Sequence, residues 1–425
     1  MKTSQIKTIF KISASVTVLF FLLGANFSEL IKVPDISKRI NEFSIAFLKQ
    51  NAKAPDAPAN AIMSPQSIFS CLAMSYIASG GDTRKELATV CRFSESNEEL
   101  ARDIQKLRQQ LLKNKQIDVR IANSAWLDSS RADFRKDYVN DVEKSFGASI
   151  FSIDFRKKEK ARDMVNNWAA KNTNGKINNI VSPGDFESIN LPFFKNGTAL
   201  LLANAVYFKA DWESRFNKTN TEEKTFHIDR SAKTTTMMMH QDSLLRYFEN
   251  DKFKFLELPY IGNTYSMHVI LPKEVVPIKK LMEEITPEMI NEMEGSAYTA
   301  QVDTLFPKFE MQNRLDVEDS LKAMGVKAAF NSSVDFDKMI KNRLNAFAIY
   351  ISKIRQDAWI EVSEKGTEAA AVTTTTHFSV GCAAPDGPYY EPVIFHADHP
   401  FLFLIVHNQS KSILFGGWIS NPDKL

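Results

Sequence analysis

Apolar residues in the first half of the chain recur with the period of an α-helix, about 3.6 residues. In DISKRINEFSIAFLKQ they share one face: Ile36, Ile40, Phe43, Ile45 and Phe47. The next run, SPQSIFSCLAMSYIASGG, has Ser64 at the N-cap, Pro65 at the first helical position and two glycines at its end. RADFRKDYVNDVEKSF and EKARDMVNNWAAKNT are amphipathic in the same way, so the pattern predicts a helical first half.

The second half carries the patterns of β-strands. TALLLANAVYFKADW is almost continuously apolar, as a strand buried on both faces should be. FKFLELPYIGNTYSMHVILP and HPFLFLIVHNQSKSILFGGWI each have the pattern of a strand, a turn and a strand. No linker rich in proline, glycine or serine divides residues 29–425, so the sequence predicts one α+β domain built on sheets.

Residues 1–25 have the pattern of a secretory signal peptide. A basic front is followed by ISASVTVLFFLLGA, an apolar run too short to span a bilayer. We therefore expect secretion and a mature domain over residues 29–425, with a retained anchor as the alternative. In a secreted chain four sequons become acceptor sites for glycans: Asn196, Asn217, Asn331 and Asn408.

Net charge and composition limit the classes of binding partner that the sequence indicates. The net charge of +2 demands neither nucleic acid nor a membrane surface, and we expect a monomer. The basic stretch KLRQQLLKNKQIDVR is either a solvated helix face or a patch for a polyanion. Three cysteines leave at least one free thiol, and Cys71, in an apolar run, is expected to be buried. The pairing of Cys71, Cys91 and Cys382 stays open.

The common motifs of enzymes are absent from the sequence. It has no G-x-S-x-G, H-E-x-x-H, P-loop, G-x-G-x-x-G or C-x-x-C pattern. His396 and His399 have the spacing of two metal ligands, but no cluster of cysteines or carboxylates completes a site. We therefore expect neither an enzyme nor a bound metal or cofactor.

One segment, GTEAAAVTTTT, combines strand-forming composition with small side chains. As a strand it presents only small residues on one face: Thr367, Ala369, Ala371, Thr373 and Thr375. Val372 lies on the other face, outward, where its size is expected to matter little. No proline or glycine occurs from Thr367 to Val380, but Gly381, Pro385, Gly387, Pro388 and Pro392 follow and would end any strand. The pattern indicates either an edge strand before a surface loop or a segment able to join a sheet on an exposed tether.

Over almost all of residues 36–425 the sequence resembles the serpins, the serine protease inhibitors that include antitrypsin. EVSEKGTEAAAVTT resembles the family's hinge, and NAIMSPQSIFSCLAMSYIASGGDTRKEL resembles its early helix pair. NNWAAKNTNGKINNIV, ALLLANAVYFKADWESRF and HPFLFLIVHNQSKSILFGGWISNP match further segments in order. The resemblance implies the serpin fold, with a large central β-sheet, two further sheets, about eight or nine helices and an exposed reactive-centre loop at about 364–395.

The resemblance also implies a mechanism. A serine protease cuts the loop and forms an acyl-enzyme, and the severed arm inserts into the main sheet, which traps a covalent one-to-one complex. Members with a charged residue at the position of Thr367 do not inhibit, so its threonine implies inhibition. The alternatives are a non-inhibitory carrier, storage protein or chaperone, and an inhibitor of a cysteine protease.

Individual positions carry over from the family. The hinge comprises Glu364, Gly366, Thr367, Glu368, Ala369, Ala370 and Ala371. The cluster beneath the point where the sheet opens comprises Ser64, Ser67, Asn204 and Gln356, with glutamine where the family often has histidine. Trp212 corresponds to the tryptophan where the arm first joins the sheet.

The reactive bond is expected about fourteen residues beyond the hinge glycine, a strand of roughly 46 Å, which places it at Val380–Gly381. Phe378–Ser379 is an alternative, and Tyr389 or Tyr390 becomes the bait residue if the extra length of this loop precedes the cut. Residues 366–394 contain no lysine or arginine, so a trypsin-like target is disfavoured. A valine suits an elastase-like pocket and an aromatic residue a chymotrypsin-like one.

Overall fold

The structure, a computed structural model, describes residues 35–186, 188–191, 194–197, 199–331, 336–341, 349–367 and 391–425. Several predictions from the sequence fall outside these residues. They are the signal peptide, Cys382, the side chain of Asn196, the distal hinge (Glu368, Ala369, Ala370, Ala371) and every candidate for the reactive bond (Phe378, Ser379, Val380, Gly381, Tyr389, Tyr390).

Nine α-helices occur in the described part of the chain. They are α1 Asp35–Lys53, α2 Pro65–Ala78, α3 Gly81–Cys91, α4 Asn97–Leu111, α5 Lys136–Phe146, α6 Lys158–Asn172, α7 Ile278–Glu284, α8 Pro287–Ser296 and α9 Glu318–Met324. Every residue of α2 is buried, so this helix lies in the centre of the molecule. None of the described helices has the length and apolarity to cross a membrane.

The larger sheet has nine strands. In spatial order they are β1 Asn60–Met63, β19 Ser412–Ile419, β18 Phe401–His407, β11 Tyr265–Pro272, β10 Phe253–Pro259, β9 Lys233–Glu249, β12 Tyr298–Pro307 and β17 Val393–His396, with β8 Glu222–His227 paired to β9. Two small sheets pair β3 Asp133–Phe134 with β14 Ile340–Lys341, and β5 Ser188–Leu191 with β6 Phe194–Gly197.

The second large sheet has six strands and includes Gly366 and Thr367 of the predicted hinge. Its spatial order is β13 Phe309–Asp316, β15 Ile351–Ser363, β16 Gly366–Thr367, β7 Leu200–Asp211, β2 Asp118–Asp128 and β4 Ser149–Ile153. Its back face packs towards α2 within the main core, and its front face packs against α6 through a separate cluster of buried residues. The predicted α+β architecture is confirmed, including the near-continuously buried strand β7.

Ser64 occupies the N-cap position before Pro65, as predicted, but its side chain makes no capping hydrogen bond. Its hydroxyl donates instead to the carbonyl oxygen of Leu414, 2.7 Å away on β19. The serine therefore ties the start of α2 to the neighbouring sheet.

Candidate functional site

The central feature of the six-stranded sheet is the seam between β7 and β15. These strands pair directly and in parallel from Leu200 and Ile351 as far as Tyr207 and Trp359. Beyond that point they part, and β16 lies between them, antiparallel to both. We call the paired stretch the closed seam and the end that holds β16 the open end.

Two hinge residues fill the open end. Gly366 has φ +154°, and a Cβ atom there would lie 2.1 Å from the carbonyl oxygen of Ala210, so no side chain fits. Thr367 lies opposite Val362 and Ala210 and is fully buried on the back face. Its hydroxyl is 2.8 Å from the hydroxyl of Tyr260. The first residues of the small-residue segment are thus packed inside the sheet.

Trp212 holds the turn before β16. Its ring stacks on Tyr260, with centroids 4.5 Å apart, and its indole N–H donates to the carbonyl oxygen of Ser363 at 2.9 Å. Its backbone N–H donates to the carbonyl oxygen of Lys365 at 2.7 Å. The tryptophan therefore fixes both ends of the turn that leads into the open end.

Glu364, in the same turn, is 5% exposed. Its carboxylate accepts hydrogen bonds from the Thr221 hydroxyl at 3.1 Å and from Lys308 Nζ at 3.2 Å. Burial acts to raise the pKa of this carboxyl, but a backbone N–H, Lys308 and Thr221 outweigh it, and the pKa is lowered. The carboxylate anchors the turn as an anion.

The four residues assigned to a cluster beneath the sheet come together on the back of the closed seam. Gln356 Nε2 donates to Asn204 Oδ1 across the seam at 2.8 Å and to the Ser64 carbonyl oxygen at 2.9 Å. Asn204 Nδ2 donates to Ser67 Oγ and to Asn123 Oδ1, the latter at 2.7 Å. All of them are buried. Sequence reasoning missed Asn123, although it lies opposite Asn204 on β2.

Side chains also join the two strands on the front of the closed seam. The rings of Tyr207 and Trp359 stack across it, with centroids 6.1 Å apart and planes 16° from parallel. Lys176 Nζ, just after α6, lies 4.0 Å from the centre of the Trp359 ring. Opening the seam must separate this stack, as it must separate Gln356 from Asn204.

The segment after α6 is tied to β15 by an ion pair. Asp185, 6% exposed, accepts hydrogen bonds from Lys353 and Arg355 of β15. Burial acts to raise the pKa of Asp185, but Lys353, the Ser182 backbone N–H and Arg355 hold it well below its usual range. No sequence motif predicts this contact, because Asp185 lies far along the chain from Lys353 and Arg355.

A second carboxylate on the front of β15 is less well compensated. Asp357 is fully buried, and burial raises its pKa to about 6 despite a 2.9 Å hydrogen bond from Gln312. Arg314 Nε is 3.7 Å away. At neutral pH the closed seam therefore contains a buried, poorly neutralised charge.

The remaining sequence candidates occupy ordinary environments. His399 is held by Asp398 at 2.8 Å and by the Pro272 carbonyl oxygen at 2.6 Å, and no cluster suited to a metal occurs among the residues that the structure describes. Cys71 and Cys91 are buried and unpaired, and burial raises the pKa of Cys71 to about 12. Among the sequons, Asn217 and Asn331 are exposed. Asn408 Nδ2 donates to Ser266 and Asn263, which disfavours a glycan there.

Comparisons with known proteins agree with this architecture. A family model described as Serpin (serine protease inhibitor) matches residues 38–422. Human serpin B3 is 31% identical over 91% of this chain and 99% of its own length, and the horse leukocyte elastase inhibitor is 31% identical over 86% and 94%.

Solved structures show the same fold. Serpin48 of the insect Tenebrio molitor, described as a highly specific serpin, has a TM-score of 0.78 with 26% identity, over 92% of this chain and 99% of that one. Human thyroxine-binding globulin, complexed with thyroxine, also has a TM-score of 0.78 over 92% and 99%, but at 23% identity it supports the fold alone. Given the match over nearly the whole described chain, this protein belongs to the serpin family of serine protease inhibitors.

Proposed function

We propose that this protein is a secreted suicide inhibitor of a serine protease, and that its severed arm inserts into the seam between β7 and β15. The observation that carries the proposal is the position of β16. Gly366 and Thr367 already lie between the two strands, hydrogen-bonded to both. Insertion is then the continuation of a strand that has begun, at the boundary where the seam closes.

The two registers that define β16 support this continuation. Extended along β15, the pairing of Thr367 with Val362 would bring Thr373 opposite Gln356. Extended along β7, the pairing of Thr367 with Ala210 would bring the same threonine opposite Asn204. Gln356 and Asn204 are already opposite each other in the closed seam. The two pairings therefore place an inserted arm in the same register relative to β7 and to β15.

The back face explains the small residues of the arm. Thr367 is buried there, and Ala369, Ala371, Thr373 and Thr375 would follow on the same side towards α2. Overpacking a filled core costs roughly 1–3 kcal/mol, whereas a ladder hydrogen bond contributes about 0.5–1.5 kcal/mol net. One bulky side chain on this face would therefore offset several new hydrogen bonds and slow insertion.

The front face bears on Val372, whose size was expected from the sequence to matter little. In the same register Val372 would lie between Asp357 and Ala205, and both of these residues are fully buried. α6 and the segment after it cover this side of the sheet. The size of residue 372 is therefore expected to matter, because the outward side of the arm would enter a packed layer as well.

The length of the closed seam supports a cut near Val380–Gly381. Direct pairing of β7 and β15 ends at Leu200 and Ile351, which this register would place opposite residues 377 and 378. A cut after Val380 leaves a short tether to the trapped protease, as does one after Phe378. A cut at Tyr389 or Tyr390 would leave a long slack segment. With valine as bait we propose an elastase-like target, consistent with the name of the horse relative.

Secretion through a signal peptide at residues 1–25 and a monomeric one-to-one complex complete the proposal. Glycans would then attach at Asn217 and Asn331, which are exposed, in preference to Asn408. A polyanion is a further partner, and the exposed lysines of α4 and the following loop, Lys106, Lys113 and Lys115, are where it would bind.

The proposal is tested by mixing the intact protein with active elastase and, as a control, with elastase whose catalytic serine is blocked. We expect a covalent complex that survives SDS with the active enzyme only. Clipping without complex formation, by elastase and by a chymotrypsin-like enzyme, would instead indicate a non-inhibitory member, and a complex formed only with a cysteine protease would assign that class. The mass of the released C-terminal peptide locates the cut, and a peptide that begins elsewhere than Gly381 would overturn the assigned bond.

A further inference from the structure

A cavity that shares Asn123 with the cluster behind the closed seam opens at the edge of the six-stranded sheet, where α4, the end of α5 and the end of α6 meet β2. Its volume is about 220 Å³. The polar residues that line it are Arg108, Arg120, Lys171, Asn123, Asn172 and Ser149. Three cationic side chains therefore line one cavity, and no carboxylate belongs to its lining.

The three cations differ in what neutralises them. Arg120 has its own counter-ion, because Asp118 accepts two hydrogen bonds from its guanidinium, at 2.8 and 3.1 Å. Lys171 is exposed at the rim. Arg108 is half-buried, and its guanidinium has no hydrogen-bond or ion-pair partner among the residues that the structure describes. Of the two cations given no counter-ion here, Arg108 lies further from solvent than Lys171.

The Arg108 side chain is held by packing. Its guanidinium lies directly over Gly147, where a Cβ atom would come within 2.2 Å of Arg108 Cζ. Arg108 Nε is fully buried without an acceptor, and burial lowers the pKa of the guanidinium. The terminal guanidinium nitrogens are not closed off in the same way, and they are the donors that a ligand in the cavity would use.

The edge of β2 adds backbone groups to the cavity. β4 pairs with β2 only from Ser149 opposite Ser124 onward. Residues 119–123 of β2 therefore have β7 on one side and, within the described part of the chain, no strand on the other. Part of this strand edge faces the cavity, so backbone N–H donors can assist the side chains.

We propose that this cavity binds an oxyanion, the phosphate or sulfate group of a small molecule. The planar fork of Arg108 suits bidentate recognition of such a group, and Lys171 supplies a second positive charge from the rim. The site does not depend on the inhibitory function, since none of its cationic residues belongs to the hinge or the reactive loop. It also differs from a polyanion surface on the exposed lysines of α4, because the group is recognised inside the cavity.

The test uses the intact protein and isothermal titration calorimetry at constant ionic strength. Four probes distinguish the source of the anion: inorganic phosphate, inorganic sulfate, glycerol 3-phosphate and dextran sulfate. We expect saturable one-to-one binding of at least one small anion. Arg108→Gln should weaken it by roughly tenfold or more, the worth of a charge-assisted hydrogen bond. Lys171→Gln should weaken it less, and Arg102→Gln, an exposed cation on the same helix, should leave it unchanged.

Thermal unfolding checks that the variants fold, and Arg108→Lys serves as the conservative variant. This variant keeps the charge but loses the fork, so we expect intermediate affinity. The proposal is overturned if no small anion binds, if Arg108→Gln and Arg102→Gln bind equally, or if only dextran sulfate binds. Protease trapping is not a readout here, so loss of the inhibitory proposal would leave this result intact.

Discussion

The closed seam and the open end are made by the same two strands in opposite states. Along the closed seam β7 and β15 pair directly, joined behind by Gln356 with Asn204 and in front by Tyr207 with Trp359. At the open end the same two strands pair instead with β16, which consists of a glycine and a buried threonine. The backbone ladder is satisfied in both arrangements.

The difference shows which contacts determine the free energy of opening the closed seam and extending β16 into it. A third strand gives β7 and β15 new partners for the hydrogen bonds they exchange with each other, so the ladder is regained. Insertion breaks the side-chain contacts across the closed seam. It also requires the sheet to accommodate the side chains of the arm. The free energy of insertion is therefore controlled by a few residues on the two faces of the seam.

The largest expected effect comes from a charge at the open end. Thr367→Arg would bury a guanidinium beside Tyr260, at a cost of several kcal/mol. We expect the fraction of elastase held in an SDS-resistant complex to fall by roughly a hundredfold. Thr225→Arg, on an exposed position of β8, is the matched control and should trap normally. Equal trapping by the two variants would contradict this account, because it would show that a buried arginine at the open end does not hinder insertion.

Removing the back contact of the closed seam should have the next largest effect. Gln356→Ala leaves Asn204 Oδ1 and the backbone N–H of Ser64 without partners, so we expect a loss of about 3 kcal/mol in the free energy of unfolding. The loss should be larger in the intact protein than in the severed one, where the seam would already be parted. Urea unfolding of both forms measures it, with Gln301→Ala, exposed on β12, as control. An equal loss in both forms would argue against seam opening.

The front of the closed seam can be tested through pH. The pKa of Asp357 is about 6 in the folded protein, above its unfolded value near 3.8, so ionisation lowers the free energy of unfolding as pH rises through this range. Asp357→Asn should therefore stabilise the intact protein by about 2–3 kcal/mol at pH 7.5 and by almost nothing at pH 4. Asp251→Asn is an exposed control. A stabilisation independent of pH would mean that the charge of Asp357 is not its source.

The smallest effect is expected at the turn before β16. Lys308→Gln removes one of the two side-chain partners of Glu364, and because the lysine is 44% exposed the loss should be about 1 kcal/mol or less. The pKa of Glu364 is lowered, so this contribution is present above the unfolded value and disappears as pH falls through the folded one. We expect Lys308→Gln to match the wild type at low pH. Lys233→Gln, exposed on β9, controls for net charge.

Local patterns in the sequence predicted most of the helices and strands, because burial of one or both faces fixes the spacing of apolar residues along the chain. The apolar run in β7 and the helix that begins at Pro65 are examples. Contacts between distant segments left no such record. The stack of Tyr207 on Trp359, the ion pair of Asp185 with β15 and the bond of Ser64 to Leu414 depend on tertiary neighbours. For the same reason, no local pattern in the sequence indicated that α6 covers the front of the closed seam.

The most direct test of insertion is the heat resistance of the protein before and after its loop is cut. If the arm adds a strand to the closed seam, about ten new ladder hydrogen bonds at roughly 0.5–1.5 kcal/mol each should raise Tm by at least about 10 °C. Calorimetry of intact and severed protein, with the C-terminal fragment retained, measures this directly. An unchanged or lower Tm after the cut would contradict the central claim that the seam between β7 and β15 is built to receive the arm.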